Sequence, residues 1–352
     1  MTTGETILVT GATGFIGSLL VRKLVAQGAT VRALTRRGPG KAPPGFDETN
    51  GDNGGDEGAG RIEWVAGDIL DGDSIVRAAQ GCQKIFHLAA YAKNWAPRRE
   101  MFVEYNVGGL KNVLQAAREA RVERMVWTST IVTFGTTRRD ETADESRPRP
   151  SPVCLTDYEA SKVEAEAVAF DAVRDGTPLV IVNPGRVYGP GHLTEGNSLA
   201  QLIDEYDRGK FPILLNAGVN VGNYVLVDDV VDGHLLAMER GRIGERYILG
   251  GENATLKQFL RTIDSVTGRR HFQIPIFRPG ALAFSYFHLK RAEWFGVYPK
   301  ITPGWVRTFL ADWGFSSAKA ERELGYRPTP LSEGMERTMR WLERVRAAPP
   351  SP

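Results

Sequence analysis

The chain has 352 residues, 42% of them hydrophobic and 24% charged, which is enough to bury a full core in one or two domains. Its 44 basic and 42 acidic residues nearly cancel, so the composition indicates neither a nucleic-acid nor a membrane surface, and we expect a small-molecule substrate. A polar start, the lack of an apolar run long enough for a membrane span, and only two cysteines, Cys82 and Cys154, predict a cytoplasmic, reduced protein.

Short β-branched segments alternate with helix-like segments through the first half of the chain. In order, the strand candidates are "TILVT", "TVRAL", "IEWVA", "KIFHL", "RMVWT" and "LVIVN". This alternation predicts an α/β fold in which helices cover both faces of a parallel sheet. After about Asn183 the pattern becomes irregular and more aromatic, and it ends in an amphipathic helix.

The first strand candidate runs into a glycine-rich stretch, "TGATGFIG", that opens a helix. Gly11 permits a tight turn, Gly14 lets the backbone approach a pyrophosphate, and Gly17 allows close helix packing. Its place between an apolar strand and an amphipathic helix favours dinucleotide binding over a merely structural turn. We therefore predict a doubly wound Rossmann domain over residues 1–185 and a smaller, mostly helical substrate-binding region over 186–345, with about 221–240 returning to the first domain.

The end of the second strand candidate indicates which dinucleotide binds. Sites for NAD place an acidic residue about 20 residues beyond the glycines, where it accepts the ribose hydroxyls. This chain has Thr35, Arg36 and Arg37 there, and guanidinium groups suit a 2′-phosphate better than a bare diol. NADP(H) is therefore the expected cofactor, while NAD(H) stays open because arginines at a strand end are often simply solvated.

Residues 38–60 interrupt the alternation of strands and helices. They read "GPGKAPPGFDETNGDNGGDEGAG", which is rich in glycine, proline and acidic residues and has no apolar periodicity. This composition predicts a flexible surface loop.

A tyrosine and a lysine stand four residues apart in "DYEASKVEAE". On a helix, Tyr158 and Lys162 would face the same side, where an ammonium favours the phenolate and improves proton transfer by the phenol. Such a pair alone is usually a surface contact. The strand candidate "VWTST" upstream adds Thr130, whose hydroxyl is placed to hydrogen-bond a substrate oxygen.

Several motifs together resemble the extended short-chain dehydrogenases/reductases over nearly the whole chain. Their order is that of the superfamily: "TGATGFIG", "FHLAA", "NVGGLKNVL", "VWTSTIVTFG", "YEASK", "NPGRVYGPG" and "VLVDDVVDGHLLAM". Within it, "ERGRIGERYILGGENATLKQFL" and "SSAKAERELGYRPTPL" are similar to the branch of dihydroflavonol reductases, hydroxysteroid dehydrogenases and hopanoid-associated sugar epimerase-like proteins.

The resemblance implies a role for each matching residue. Tyr158 would be the general acid/base, Lys162 would lower its pKa and hold the nicotinamide ribose, and Asn106 would support the lysine through water. Counting back from "FG" selects Thr130 as the hydroxyl that polarises the carbonyl, with Ser129 as runner-up on the other side of the strand. The implied cofactor contacts are Gly11, Thr13, Gly14, Phe15, Ile16, Gly17, Arg36, Arg37, Asp68, Ile69, Ala89, Ala90, Tyr158, Lys162, Pro184 and Val187.

Other conspicuous residues have simpler interpretations. His87 ends a strand typical of the superfamily and is expected to be structural. Asp228 and Asp229 lack further ligands at metal-binding spacing, so we predict no metal site and a capping role for them. The aromatic run Phe284–Pro299 fits a lipophilic pocket and ordinary helix packing equally well.

Two departures from related enzymes narrow the activity. Sugar-nucleotide 4,6-dehydratases carry an acid and a base after the catalytic threonine, whereas this chain has Ile131 and Val132, which cannot transfer protons. Sugar-nucleotide enzymes also place a diphosphate-binding arginine two residues before an aromatic strand residue. Here Gly222 precedes Tyr224, and Leu226 replaces a histidine, so this clamp is expected to be missing.

The sequence thus predicts an NADPH-dependent reductase of a ketone or aldehyde on a fairly apolar molecule. One alternative is a nucleotide-sugar epimerase that uses its bound cofactor transiently. Another is a non-catalytic cofactor sensor or scaffold, against which the retained tyrosine and lysine argue. A homodimer is an open expectation.

Overall fold

The computed structural model describes residues 4–36, 60–193, 195–299 and 301–347. Arg37 and residues 38–59 of the predicted flexible loop lie outside the described residues. The strands are β1 (Thr6–Thr10), β2 (Thr30–Thr35), β3 (Arg61–Ala66), β4 (Lys84–His87), β5 (Arg124–Thr128), β6 (Leu179–Pro184), β7 (Arg186–Tyr188), β8 (Ile213–Leu215), β9 (Val221–Leu226), β10 (Arg246–Leu249), β11 (Glu252–Thr255) and β12 (Ile274–Ile276). The helices are α1 (Phe15–Ala26), α2 (Gly72–Ala79), α3 (Glu100–Val103), α4 (Gly109–Glu119), α5 (Asp157–Arg174), α6 (Ser198–Asp207), α7 (Val227–Arg240), α8 (Leu256–Thr267), α9 (Arg278–Phe295), α10 (Pro303–Phe309), α11 (Ala318–Leu324) and α12 (Leu331–Ala347).

The central element is a seven-stranded sheet with the order β10-β6-β5-β4-β1-β2-β3, in which every neighbouring pair is parallel. Alternate residues of β1 face opposite sides of it. Ile7 and Val9 pack with residues of α1 and α7, whereas Leu8 packs with residues of α2, α4 and α5. The predicted α/β fold, a parallel sheet covered by helices on both faces, is confirmed.

The strand order reverses at β1, which lies between β4 and β2. In open α/β sheets, ligands bind at the carboxyl ends of the strands beside such a switch point. The glycine-rich turn after β1 and the end of β4 both lie there. This edge of the sheet is where a site is expected to form.

The later part of the chain builds smaller sheets and an apolar cluster of its own. A three-stranded sheet has the order β11-β9-β7, and β8 pairs with β12. Helices α6, α8 and α12 supply much of the cluster around Phe259 and Ile263. Helix α7 instead packs on α1, and β10 completes the large sheet beside β6. No helix in the described part of the chain has the length and apolar character to cross a membrane.

Candidate active site

The turn after β1 is held by backbone contacts that only glycine allows. Gly11 has a φ of +73°, and a Cβ added to it would lie 2.7 Å from the backbone nitrogen of Ala89. A Cβ on Gly17 would lie 2.1 Å from the carbonyl oxygen of Gly11. The turn, the first turn of α1 and the end of β4 therefore meet too closely for any side chain, as a pyrophosphate-binding turn requires.

The other residues predicted to hold a cofactor line the same edge of the sheet. Thr13 and Gly14 are exposed in the turn, Phe15 is buried, and Ile16 is half-buried. The rest lie at or just beyond the carboxyl ends of β2, β3, β4, β6 and in β7: Arg36 (exposed), Asp68 (half-buried), Ile69 (buried), Ala89 and Ala90 (half-buried), Pro184 (buried) and Val187 (half-buried).

The oxygen atoms of Thr10 and Asp68 fix the two loops around the glycine turn. Asp68 Oδ1 accepts a hydrogen bond from the backbone nitrogen of Leu70 at 3.0 Å. Thr10 Oγ1 accepts from the backbone nitrogen of Ala89 at 3.3 Å and lies 2.6 Å from His87 Nδ1. These contacts set the shape of the cleft at the switch point.

Tyr158 and Lys162 lie one turn apart at the start of α5. Thr156 caps this helix by accepting a hydrogen bond from the backbone nitrogen of Glu159 at 3.0 Å. Lys162 is 1% exposed, its Nζ donates to the carbonyl oxygen of Thr128 at 2.8 Å, and it lies 4.5 Å from the ring centroid of Trp127. The lysine is therefore anchored beneath the end of β5.

Burial sets the proton affinity of both groups. It raises the pKa of Tyr158 to about 12, against the opposing effect of a hydrogen bond with the side chain of Thr130. It lowers the pKa of Lys162 to about 7, and the negative charge of Glu166 opposes that fall. The sequence pairing predicted a lowered tyrosine pKa; burial acts in the opposite direction here, so the phenol keeps its proton at neutral pH.

Thr130 and Ser129 point to different surroundings, as the alternation of an extended chain requires. Thr130 Oγ1 accepts from the backbone nitrogen of Val132 at 3.4 Å, and the Thr130 side chain is close enough to the Tyr158 phenol to lower its pKa against the effect of burial. Ser129 is buried, and its Oγ donates to Glu166 Oε1 at 2.6 Å. The geometry thus places Thr130, and not Ser129, beside the tyrosine.

Asn106 links the loop after β4 to α5. It is 3% exposed and lies in a π-helical turn, Glu104–Gly108, between α3 and α4. Its Oδ1 accepts from the backbone nitrogen of Tyr91 at 2.7 Å, and its Nδ2 donates to Ser161 Oγ at 2.9 Å. The amide therefore contacts the residue that precedes Lys162 and positions this part of the helix.

A buried carboxylate that sequence reasoning missed organises the floor of the site. Glu166 Oε1 accepts hydrogen bonds from Ser129 Oγ at 2.6 Å, Thr133 Oγ1 at 2.8 Å and Asn183 Nδ2 at 2.7 Å. Its Oε2 accepts from Arg246 Nη1 at 3.1 Å. The available signal was its spacing of four residues after Lys162, which puts both charges on one helix face.

His87 and Asp229 behave as structural groups. Burial lowers the pKa of His87 to about 3, with the nearby charge of Lys162 adding to the effect, so its imidazole is neutral. Asp229 accepts from the backbone nitrogen and the hydroxyl of Thr329 at 2.7 and 2.8 Å. It therefore ties the start of α7 to the segment that leads into α12.

A second residue missed from the sequence is Arg186, in β7. Its guanidinium lies 4.4 Å from the ring centroid of Phe309 and donates to the carbonyl oxygen of Thr308 at 3.0 Å. A Cβ on Gly222 would lie 3.1 Å from Arg186 Nη1. Position 222 itself has no side chain, but β7 places the Arg186 guanidinium beside it.

Arg186 is half-buried, and it forms no ion pair with an acidic residue in the described part of the chain. Burial raises the pKa of Tyr224, and the adjacent Arg186 charge opposes that rise. A cation in such surroundings normally has an anionic partner.

Comparison with known proteins agrees with this geometry. Residues 7–250 match the model of the family described as the NAD dependent epimerase/dehydratase family. The chain belongs to this family. It is 33% identical to a putative dihydroflavonol 4-reductase of Synechocystis over 345 residues, which cover 96% of this chain and 95% of that protein.

Other similarities extend the comparison. A 4-hydroxy-2-methyl-3-oxo-4-farnesyl-3,4-dihydroquinoline-1-oxide ketoreductase of Stigmatella aurantiaca is 31% identical, with 90% of each chain covered. A UDP-glucose 4-epimerase of Thermotoga maritima has a similar fold, with a TM-score of 0.75, 24% identity and coverage of 97% of this chain and 99% of that one. The predicted superfamily is confirmed: the protein is an NAD(P)-dependent enzyme of the extended short-chain dehydrogenase/reductase type.

The Glu166 network generates a prediction about stability. Glu166→Gln replaces a carboxylate that accepts from four groups and leaves the Arg246 guanidinium without its anion, so the free energy of unfolding should fall by about 3 kcal/mol. Chemical denaturation followed by circular dichroism measures this change.

Glu164→Gln is the matched control, because Glu164 is exposed on the same helix and should alter stability by less than about 0.5 kcal/mol. Equal effects of the two substitutions would show that the Glu166 network does not hold the site together.

Proposed function

We propose that the protein is an NADPH-dependent reductase that converts a ketone or aldehyde of a fairly apolar small molecule to the alcohol. The observation that carries the proposal is that Lys162, one turn from Tyr158 on α5, donates to the carbonyl oxygen of Thr128 at the carboxyl end of β5, so that the tyrosine lies at the same sheet edge as the glycine turn. The reductase and ketoreductase names of the relatives support the direction of the reaction.

The glycine turn fits a dinucleotide. Gly11 and Gly17 bring backbone close to the first turn of α1, whose N-terminus favours an anion such as a pyrophosphate. A reduced nicotinamide bound there would supply a hydride to the carbonyl carbon. The remaining steps fall to the side chains of this chain.

Tyr158 would donate its phenolic proton to the carbonyl oxygen as the new carbon–hydrogen bond forms. Thr130 would hydrogen-bond that oxygen and hold it against the phenol. Lys162, with its pKa brought to about 7 by burial, is positively charged for part of the time at neutral pH and would favour the phenolate that remains. Asn106 would position Lys162 through Ser161.

The nucleotide-sugar epimerase remains the second candidate because of Arg186. A half-buried guanidinium next to Gly222 gives a substrate phosphate or carboxylate a counter-ion. The half-buried ring of Phe309 beside it suits an apolar substrate as well. Family membership favours either enzyme over a non-catalytic cofactor sensor.

Removal of the proton donor tests the proposal directly. Tyr158→Phe should lower turnover roughly 100-fold or more while leaving NADPH affinity and the unfolding temperature nearly unchanged, because only the transferred proton is lost. Steady-state kinetics with the best carbonyl substrate, together with cofactor binding, gives the answer.

The neighbouring hydroxyls form a matched pair for the same experiment. Thr130→Val should mainly lower turnover. Ser129→Ala should mainly lower the free energy of unfolding, since Ser129 bonds to Glu166. Near-normal turnover of Tyr158→Phe, or the reverse order of the two hydroxyl variants, would refute the assigned roles.

Cofactor preference follows from the end of β2. Thr35 offers no carboxylate to the ribose hydroxyls of NADH, whereas exposed Arg36 can meet a 2′-phosphate. Charge-assisted contacts of this kind contribute about 1.5–3 kcal/mol, so NADPH should bind roughly ten- to a hundredfold more tightly than NADH.

Arg36→Ala should remove most of that preference, and the preference should weaken as salt concentration rises. Arg118→Ala, which removes an exposed arginine on α4, is the control and should change neither dissociation constant. Tighter binding of NADH by the parent protein would contradict the cofactor assignment.

A further inference from the structure

Aromatic side chains are exposed in one region of the protein. Within the described residues, every large aromatic side chain that is exposed by 39% or more lies between positions 272 and 298. They are Phe272, Phe277, Phe284, Tyr286, Phe287, Trp294, Phe295 and Tyr298. Scattered apolar residues on a surface are ordinary, but a contiguous patch of this kind marks an interaction site.

Helix α9 buries small side chains and exposes large aromatic ones, the reverse of an ordinary surface helix. It buries the small residues Ala281, Ser285 and Ala292 and packs on α10. Phe284, Phe287 and Phe295 recur at the helical spacing on the outward side, where Phe287 is 67% exposed and Phe295 is 71% exposed. Ordinary helix packing, one of the two sequence-based interpretations, is therefore wrong for this stripe.

The charges on α9 are almost all positive. Arg278, Lys290 and Arg291 are exposed, and Glu293 is the one acidic residue between positions 265 and 311. Lys290 Nζ bonds Glu293 Oε2 at 2.6 Å. Arg278 and Arg291 form no ion pair with an acid in the ranges that the structure describes. Although the chain as a whole is nearly neutral, the exposed surface of α9 is therefore both cationic and aromatic.

These two properties together select one kind of partner. A second copy related by a two-fold axis would place the same patch on both sides, so cations would be in excess at the interface, because each copy offers only Glu293, which already bonds Lys290. A bilayer that contains anionic lipids meets both needs, because its interface accepts aromatic rings and its headgroups neutralise the cations. Helices that bind bilayers in this way carry Trp, Phe and Leu beside Lys and Arg.

We propose that the α9 face, defined as Phe284, Phe287, Trp294 and Phe295 with Lys290 and Arg291, docks on the surface of an anionic phospholipid bilayer. Docking is peripheral, with the aromatic rings in the headgroup region and the two cations at the phosphates. It depends on this surface alone and not on the proposed reaction.

The α9 face adjoins the candidate active site. The ring centroids of Tyr298, just after α9, and Trp95, in the loop after β4, are 5.6 Å apart. A Cβ on Gly304 in α10 would lie 2.9 Å from Thr156, which caps the helix of Tyr158. These two contacts connect the end of α9 and the start of α10 to the segments that position Tyr158.

Vesicle flotation with the full chain tests the proposal. The parent protein should float with vesicles of phosphatidylcholine mixed with phosphatidylglycerol, and less with phosphatidylcholine alone. The double variant Phe287→Ser with Trp294→Ser should lose at least about tenfold in vesicle affinity, and Arg291→Gln should lose about fivefold.

Ile243→Ser is the matched control, because Ile243 is 44% exposed in the loop that precedes β10, at the opposite edge of the large sheet from the candidate site, and the variant should bind vesicles like the parent. Since all the substituted side chains are exposed, unfolding temperatures should agree among the variants. Light scattering without lipid identifies a second copy as the partner if the double aromatic variant halves the mass of the parent.

Failure of the parent to bind anionic vesicles would overturn the proposal, as would equal loss of binding by Ile243→Ser. A mass halved by the aromatic substitutions would also overturn it, by assigning the α9 face to self-association.

Discussion

The carboxylate of Glu166 is the interaction on which the site depends. Its two oxygens accept hydrogen bonds from the residue after β5, the turn that follows, β6 and β10, while its backbone belongs to α5. A carboxylate is buried at low cost only when its lone pairs are occupied in this way. The same carboxylate lies one helical turn beyond Lys162, so one residue fixes both the floor of the site and its electrostatics.

Burial determines which of the titratable groups near Glu166 carry a charge at neutral pH. The phenol of Tyr158 stays neutral and His87 stays uncharged, because each would lose hydration on ionising. Lys162, with a pKa of about 7, is the group whose charge changes most readily near neutral pH. Under the proposed function, this leaves Tyr158 as the proton donor and Lys162 as the charge that compensates its loss.

Local sequence patterns predicted the parts of the fold that local rules govern. The glycine turn, the alternating strands and the i, i+4 pair of Tyr158 and Lys162 are each readable within one stretch of chain, and the parallel sheet and superfamily followed from them. Alternation along an extended segment also predicted that Ser129 and Thr130 face different surroundings, and Ser129 bonds Glu166; the catalytic role of Thr130 stays a prediction.

What the sequence did not reveal depends on contacts between distant segments. Arg186 lies beside Gly222 only because β7 pairs with β9. Strand β10 pairs with β6 in the large sheet although β7, β8 and β9 lie between them in the chain. The pKa of Tyr158 rises because of burial that no spacing of residues encodes. The exposure of the aromatic residues on α9 depends on which neighbours fail to cover them, and this too is a property of the whole fold.

The most direct test of the central claim follows the fate of the hydride. The protein is supplied with NADPH carrying deuterium at the transferable C4 position, together with apolar ketones, aldehydes and UDP-sugars in separate reactions. Our account predicts deuterium on the carbinol carbon of an apolar product and an equimolar amount of NADP⁺. Conversion of a UDP-sugar to its epimer with no net oxidation of NADPH, and no reduction of any apolar carbonyl compound, would contradict it.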